Sequence, residues 1–347
     1  MSKVNLHTQS LDLNWKLISL ISDIDRFDAA WQSIERREGQ TLRELKSIAT
    51  VRSVGASTRI EGSRLSDQEV DVLLKNIDIT KLEERDQQEV VGYFEVLDAI
   101  DESYQYMNVT ETELKNLHNM LLRYSQKDQW HKGSYKQHTN SVEMTLADGS
   151  RQLIFETTPP GFPTEDAMRA LIEWYENDIE THALVKTALF CYEFLSIHPF
   201  QDGNGRLSRL LATLLLRKHG YQWIRYVSFE HEIESKKTEY YGALRSCQAL
   251  RPNEDISLWI SFFLESLKNI HQSLMRKLES RSIEQTLSPK DKTLLAIIES
   301  NPGIKTSDLA IKLGTSGSTI KRMAEKLIKH KLIERHGIGP GTYYTLL

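Results

Sequence analysis

The chain has 347 residues, 39% hydrophobic and 27% charged, with a formal net charge of −4, an ordinary globular composition that excludes a disordered or fibrous chain and is long enough for two domains or more. No run near eighteen apolar residues occurs, and the opening MSKVNLHTQSLDLNWKL lacks the basic start and apolar core of an export signal, so a soluble, cytoplasmic protein without a membrane partner is expected. Charge is uneven: residues 286–347 hold ten Lys and Arg against five Asp and Glu, +5, which leaves −9 on residues 1–285.

Taken from the N-terminus, the first 285 residues read as nearly continuous helix, with apolar positions three and four apart, few prolines, and a cap at Ser66 ahead of DQEVDVLL. A helical bundle follows from that pattern. Residues 132–160 interrupt it: Val142, Met144 and Leu146 alternate with Glu143 and Thr145, the dipeptide Asp148-Gly149 makes a turn, and RQLIF resumes an apolar strand, which together predict a β-hairpin. The proline-rich TTPPGFPTED comes next, with Thr164 as the expected cap of a helix beginning near Glu165. Cys191 and Cys247 sit in predicted helices without CxxC or Cys/His spacing, so both are read as packing residues.

FCYEFLSI reads as a buried helix ending before His198-Pro199, after which a glycine-bearing loop leads into RLSRLLATLLLRKHG. Gly203, Asn204 and Gly205 therefore lie at a helix N-terminus, where backbone N–H groups and the helix dipole favour an anion such as phosphate. Arg206 and Arg209 are three apart and reach the same polyphosphate. Asp202 offers an oxygen to a magnesium ion on those phosphates, and His198 has the pKa range of a general base toward a hydroxyl. Each feature alone has a plain structural reading, as a turn, a solvated face or a core histidine; base, metal ligand, anion nest and paired cations within twelve residues do not. Past a boundary near residues 281–289, a helix over 290–300, a short helix capped by Thr306, a longer helix over 318–330 and a terminal hairpin give the order of a winged helix-turn-helix.

The segment HPFQDGNGRLSR resembles the Fic family motif HxFx(D/E)GNGRxxR at every defined position. What this implies is a mainly α chain: a helical region over residues 1–110, a helical Fic core with a small β-hairpin flap over 111–280, and a winged helix-turn-helix over 286–347. It also implies protein adenylylation, with His198 deprotonating a Ser, Thr or Tyr hydroxyl of a target protein that attacks the α-phosphate of ATP as diphosphate leaves. Asp202 then holds Mg2+, Gly203, Asn204 and Gly205 cradle the phosphates, Arg206 and Arg209 neutralise the β and γ ends, and Phe200 packs the loop.

Residues 130–135 followed by the hairpin are similar to the family's flap, which aligns a target segment by β-augmentation, and IESKKTEYYGALRSC is similar to the helix near the adenine, with Tyr240 and Tyr241 lining that pocket and Ser235 where the family often has Asn. Upstream, Ser57, Glu61 and Gly62 in STRIEG fit the family's inhibitory pattern (S/T)xxxE(G/N); Ser57 and Glu61 share a helical face and Gly62 ends the turn. The implied lock is Glu61 on Arg209. Open at this stage are self-modification, removal of AMP, the donor base, a homodimer, a DNA or protein partner for the C-terminal module, and a regulator that senses nucleotide and binds DNA.

Overall fold

Apolar residues three and four apart give α1 (Trp15–Arg37) a buried stripe of Leu17, Leu20, Ile24, Phe27, Trp31 and Ile34, and Asn14 caps it by accepting from the Leu17 amide. The computed structural model describes residues 10–12, 14–140, 142–145, 151–330 and 332–347. Two compact units divide the chain, Met1–His271 and Gln272–Leu347. Among the described residues no helix is long and apolar enough to cross a membrane.

In the first unit α2 (Gly39–Ile60) and α3 (Asp67–Lys75) are joined by a turn through Gly62 at φ 110°. The expected cap at Ser66 is present as a full capping box with Glu69. Then come α4 (Arg85–Ser103) and α5 (Glu111–Leu121), followed by the ribbon of β1 (Val142–Thr145) and β2 (Arg151–Phe155). The two strands pair antiparallel, Thr145 opposite Arg151 and Val142 opposite Phe155; the turn expected at Asp148-Gly149, and Leu146, lie outside the described residues.

One expectation fails at the next helix. α6 (Phe162–Asn177) starts three residues before Glu165, because Pro163 suits the first turn and Gly161 takes the cap. Thr164 lies inside the helix and donates its hydroxyl to the Pro159 carbonyl at 2.6 Å.

At the centre, α7 (Ala183–Ile197) is buried from Leu184 to Ile197, a predominantly apolar helix enclosed as such helices are. It packs along α8 (Asn204–Lys218), itself buried over most of its length. Their apolar sides, with Val90, Tyr93, Val96, Leu117, Met168 and others, form one core. Cys191 and Cys247 are buried free thiols, the packing residues expected. After α9 (Phe229–Ser235) and α10 (Lys237–Gln248), α11 (Ser257–Thr286) leads out of the unit.

The second unit has its own core around Leu294, Ile298, Leu309, Ile320, Leu327 and Ile333. Ser288 caps α12 (Pro289–Ser300), with the proline at the first helical position as expected. β3 (Ile304–Lys305), α13 (Thr306–Lys312), α14 (Gly317–Lys329), β4 (Ile333–His336) and β5 (Tyr343–Leu346) follow, and the strands order as β3, β5, β4 in one antiparallel sheet. The order is that of a winged helix. Thr306 does not cap α13; it is the first helical residue, and Lys305, the cap, makes no side-chain cap bond. β3 was not read in the sequence, since two residues show no alternation.

Candidate active site

The loop between α7 and α8 is clamped from both ends. His198 closes α7 in the left-handed region at φ 53°, its amide on the Phe194 carbonyl at 2.9 Å. For a non-glycine residue this conformation costs on the order of 1 kcal/mol or more and persists only where surroundings hold it. Those surroundings are explicit. Asn204 folds back on the loop, accepting from the Phe200 amide at 2.9 Å and donating to its carbonyl at 2.7 Å. Asn140 donates to the carbonyls of His198 at 3.3 Å and Phe200 at 2.6 Å. Lys136, 2% exposed, donates to Asn140 at 2.9 Å, Thr157 at 2.9 Å and the Ile197 carbonyl at 3.0 Å. Phe200 is fully buried and stacks on His118 at 3.8 Å between ring centroids, the packing role expected of it.

None of His118, Lys136 or Asn140 was legible as a site residue. His118 accepts from the Gly133 amide on Nδ1 at 2.9 Å, so Nε2 carries the proton and donates to the Asp202 carbonyl at 2.9 Å. A lone histidine on α5 gives no local sign of this.

Burial pushes the His198 imidazole down to about 4, with the Lys136 cation adding to it and the carboxylates of Glu61 and Asp202 opposing. At neutral pH it is therefore unprotonated, the state a general base needs. Asp202 goes the other way for its class: burial would raise it, but Arg206, the Gly203 amide and Lys127 bring it to about 2. Its Oδ1 accepts from Gly203 N at 2.6 Å and faces Arg206 at 3.3 Å. Oδ2 is left toward Lys127 at 3.4 Å and Arg85 at 3.8 Å, two half-exposed cations that sequence reading missed.

Gly203 caps α8 at φ 80° and has no side chain to bond the next amides; Asp202 takes the Gly203 amide itself, and the amides beyond it are left to an anion. The Glu61 carboxylate lies there. A Cβ on Gly205 would stand 2.4 Å from Glu61 Oε1 and 3.3 Å from Arg209 Nη1, which makes glycine the residue that lets both groups approach. Arg209, 2% exposed, donates through Nη2 to Glu61 Oε1 at 2.7 Å and to the Ser57 carbonyl at 3.0 Å, and through Nε to the Ser57 hydroxyl at 2.8 Å.

The ion pair expected between Glu61 and Arg209 is present, but through one guanidinium nitrogen; Ser57 takes the second donor. Burial alone would raise the Glu61 carboxyl, yet Arg209 and then Arg206 hold it below the usual range. For Arg209 burial lowers the pKa, but Glu61 together with Tyr240, Tyr93 and Tyr241 outweighs it, so the pKa rises. Among the described residues Arg209 Nη1 is buried with no hydrogen-bond partner.

Arg206, also buried, pairs with Glu89 at 3.3 Å and Asp202 at 3.3 Å. The end of α2 is held in place by Arg59, which forks onto Glu234 at 2.7 and 3.0 Å and reaches Asp67 at 2.9 Å, while Lys237 donates to the Ile60 carbonyl at 2.7 Å. Tyr240 is buried against Trp259 and Phe262, and its edge meets Tyr241 at 5.1 Å. The charges of Glu61 and Arg209 act on both hydroxyls, and Tyr241 is the more open of the two.

Residues 108–216 match the Fic/DOC family and residues 287–336 the MarR family. Over 221 residues the chain is 28% identical to Protein adenylyltransferase Fic of Drosophila ananassae, a match covering 61% of this chain and 40% of that protein. The chain spans between about a quarter and two fifths of the length of the curated relatives it matches. Among solved structures, a Fic family protein from Desulfovibrio desulfuricans G20 aligns with a TM-score of 0.63 at 23% identity, covering 97% of each chain. A Fic domain containing signaling protein from Bacteroides thetaiotaomicron aligns with a TM-score of 0.58 at 24% identity, over 74% of this chain and 96% of that one. These likenesses show the fold.

Proposed function

We propose, from the premise that the chain carries a Fic domain followed by a MarR-type winged-helix domain, that it is a protein adenylyltransferase restrained by Glu61. The observation that carries this is the open amino end of α8, where a buried, unpartnered Arg209 Nη1 lies beside Gly205 and a carboxylate occupies the place of an anion. A phosphate chain seated there meets backbone N–H groups, Arg206 and Arg209, all preorganised for negative charge.

His198 takes the proton of a target Ser, Thr or Tyr hydroxyl as its oxygen forms a bond to the α-phosphorus of ATP; the bond from that phosphorus to the β-bridging oxygen breaks, and diphosphate leaves. Asp202 supplies one carboxylate oxygen, Oδ2, suited to Mg2+, which binds through one or two carboxylates together with substrate phosphates; Mg2+ would neutralise charge on the diphosphate. Arg206 and Arg209 orient its far end. The β1–β2 ribbon is the surface offered to a target strand, and hydroxyls of a second copy of the chain are candidate acceptors. While Glu61 occupies Arg209, the γ-phosphate is denied that cation and the α-phosphate turns away from His198.

Incubation with α-labelled ATP and Mg2+ tests this. Label on protein, lost in His198→Ala, is expected; nucleotide binding without label in the Glu61→Gly variant overturns it. A second reading, binding of duplex DNA by the C-terminal unit, is favoured by exposed Lys321, Arg322 and Lys329 along α14. Lys326, on the same helix, is engaged by Asp291 at 2.7 Å.

A further inference from the structure

The buried ammonium of Lys136 lies where three stretches of chain meet. Burial pushes it down to about 8, which leaves it charged at neutral pH with its three N–H donors. All are used, on Asn140 Oδ1 at 2.9 Å, Thr157 Oγ1 at 2.9 Å and the Ile197 carbonyl at 3.0 Å. Asn140 precedes β1 and Thr157 follows β2, so both roots of the ribbon meet at one cation, and Ile197 is the residue before His198. Thr157 turns its own proton to Asn140, whose Oδ1 is at 2.8 Å and whose carbonyl is at 3.0 Å. The orientation of the Asn140 amide follows. An ammonium only donates, so Oδ1 faces Lys136, and the Nδ2 protons are turned to the carbonyls of His198 at 3.3 Å and Phe200 at 2.6 Å. The Lys136 amide takes the remaining carbonyl, that of Pro199, at 2.8 Å. Every carbonyl from Ile197 to Phe200 therefore accepts from Lys136 or Asn140.

We propose that Lys136 is a positioning residue for His198: with Asn140 it fixes the carbonyls on both sides of the base and ties them to both roots of the β1–β2 ribbon, so that the imidazole and the surface offered to a target strand keep one register. The reading of His198 as the general base underlies this. His198 sits at φ 53°, a conformation that persists only where the surroundings over-determine it. Its ring meets the Leu195 carbonyl through Nδ1 at 3.4 Å, a long contact, so the aim of the imidazole is set mainly through the backbone. A base has to stand within hydrogen-bond reach of the hydroxyl it serves, and a turn of the backbone at His198 moves it away. The phosphate end is assembled from other parts, the α8 amides, Arg206 and Arg209; among the described residues none of these bonds to Lys136. The sequence offers no sign of the tie, because Lys136 and Ile197 are 61 residues apart.

The test uses the full chain carrying Glu61→Gly. Initial rates of self-labelling from α-labelled ATP and Mg2+ give kcat and the KM for ATP, and 13C-labelled histidine reports the backbone of His198 through its Cα signal, assigned with His198→Ala. Adding Lys136→Met, which fills similar space without the charge, is expected to lower kcat on the order of 10- to 100-fold, the scale of a reacting group misplaced by up to about 1 Å. The same change is expected to leave the KM for ATP within about twofold and to move the His198 signal. Asn140→Ala is expected to do the same, and the two changes together to be no slower than the slower one alone, because both act through one set of carbonyls. Effects that multiply, a KM that rises as kcat falls, or a His198 signal that stays while kcat falls would mean general loosening and overturn the proposal. An unchanged kcat in Lys136→Met, where His198→Ala abolishes labelling, sinks the positioning role alone. Labelling that survives His198→Ala, or is absent throughout, sinks the reading of His198 as the base and the proposal with it.

Discussion

The amino ends of α8 and α14 are the same element of structure put to opposite uses. At α14 the helix is closed by its own sequence: Ser316 accepts from the Thr319 amide at 3.3 Å, and its exposed cations lie along the side of the helix. At α8 the cap is Gly203, which has no side chain to close the end itself, and the end is met by Glu61, 148 residues before Arg209. A helix end left uncapped in a buried place is reserved for something else. The dipole that Ser316 satisfies locally is, at α8, available to an anion.

That contrast breaks if the α8 end does no chemistry, and the largest effect tests it. His198→Ala is expected to lower label transfer on the order of 100-fold or more while ATP binding, measured by calorimetry, stays within a few fold. Next is the occupant of the end. Glu61→Gly is expected to raise transfer, self-modification included, about tenfold or more, the scale of a charged hydrogen bond lost. Glu61→Gln keeps size and loses charge; full inhibition in that variant would point to steric blockage, whereas release approaching that of glycine supports charge. The combined Glu61→Gly, Arg209→Ala protein is expected to be slow, because in the proposed function Arg209 serves both brake and substrate.

The first unit should also be the acid-sensitive one. His118, His198 and His271 are each pushed by burial from 6.5 to about 4. With folded values below unfolded ones, their contribution is complete above about pH 6.5 and lost as pH falls toward 4, by more than about 1 kcal/mol for each imidazole. Thermal melts at pH 7 and pH 5 are expected to show the first unit losing stability. A shift confined to the second unit would contradict this.

At α14, Ser316→Ala is expected to cost about 1 kcal/mol, the usual value of an N-cap, seen as reduced amide protection in that unit alone. The smallest effect is on DNA. If α14 contacts phosphates, Lys321→Gln should reduce the slope of log affinity against log salt by about one, read from gel retardation of a duplex by the whole protein; a flat salt response counts against the second reading.

Where interactions are local, the sequence alone was sufficient. The capping box at Ser66, the proline opening α12, the buried run of α7 and the glycine-bearing turn into α8 depend on neighbours within a few residues, whose spacing and backbone preferences are readable in order. The twelve residues from His198 to Arg209, to which most of the proposed chemistry is assigned, are legible for the same reason. Thr164 and Thr306 were misplaced because a helix start is shared among adjacent residues that cap almost equally well, and the surrounding fold chooses. Only the tertiary structure could bring His118 under Asp202, Lys136 and Asn140 against the loop carbonyls, and Tyr93 onto Glu230, since each meets its partner across tens of residues or more and through burial. A short pattern could suggest that Glu61 meets Arg209. That Ser57 takes the guanidinium's second donor, and that Nη1 is left bare beside Gly205, follows from how α2 packs on α8, which no spacing encodes.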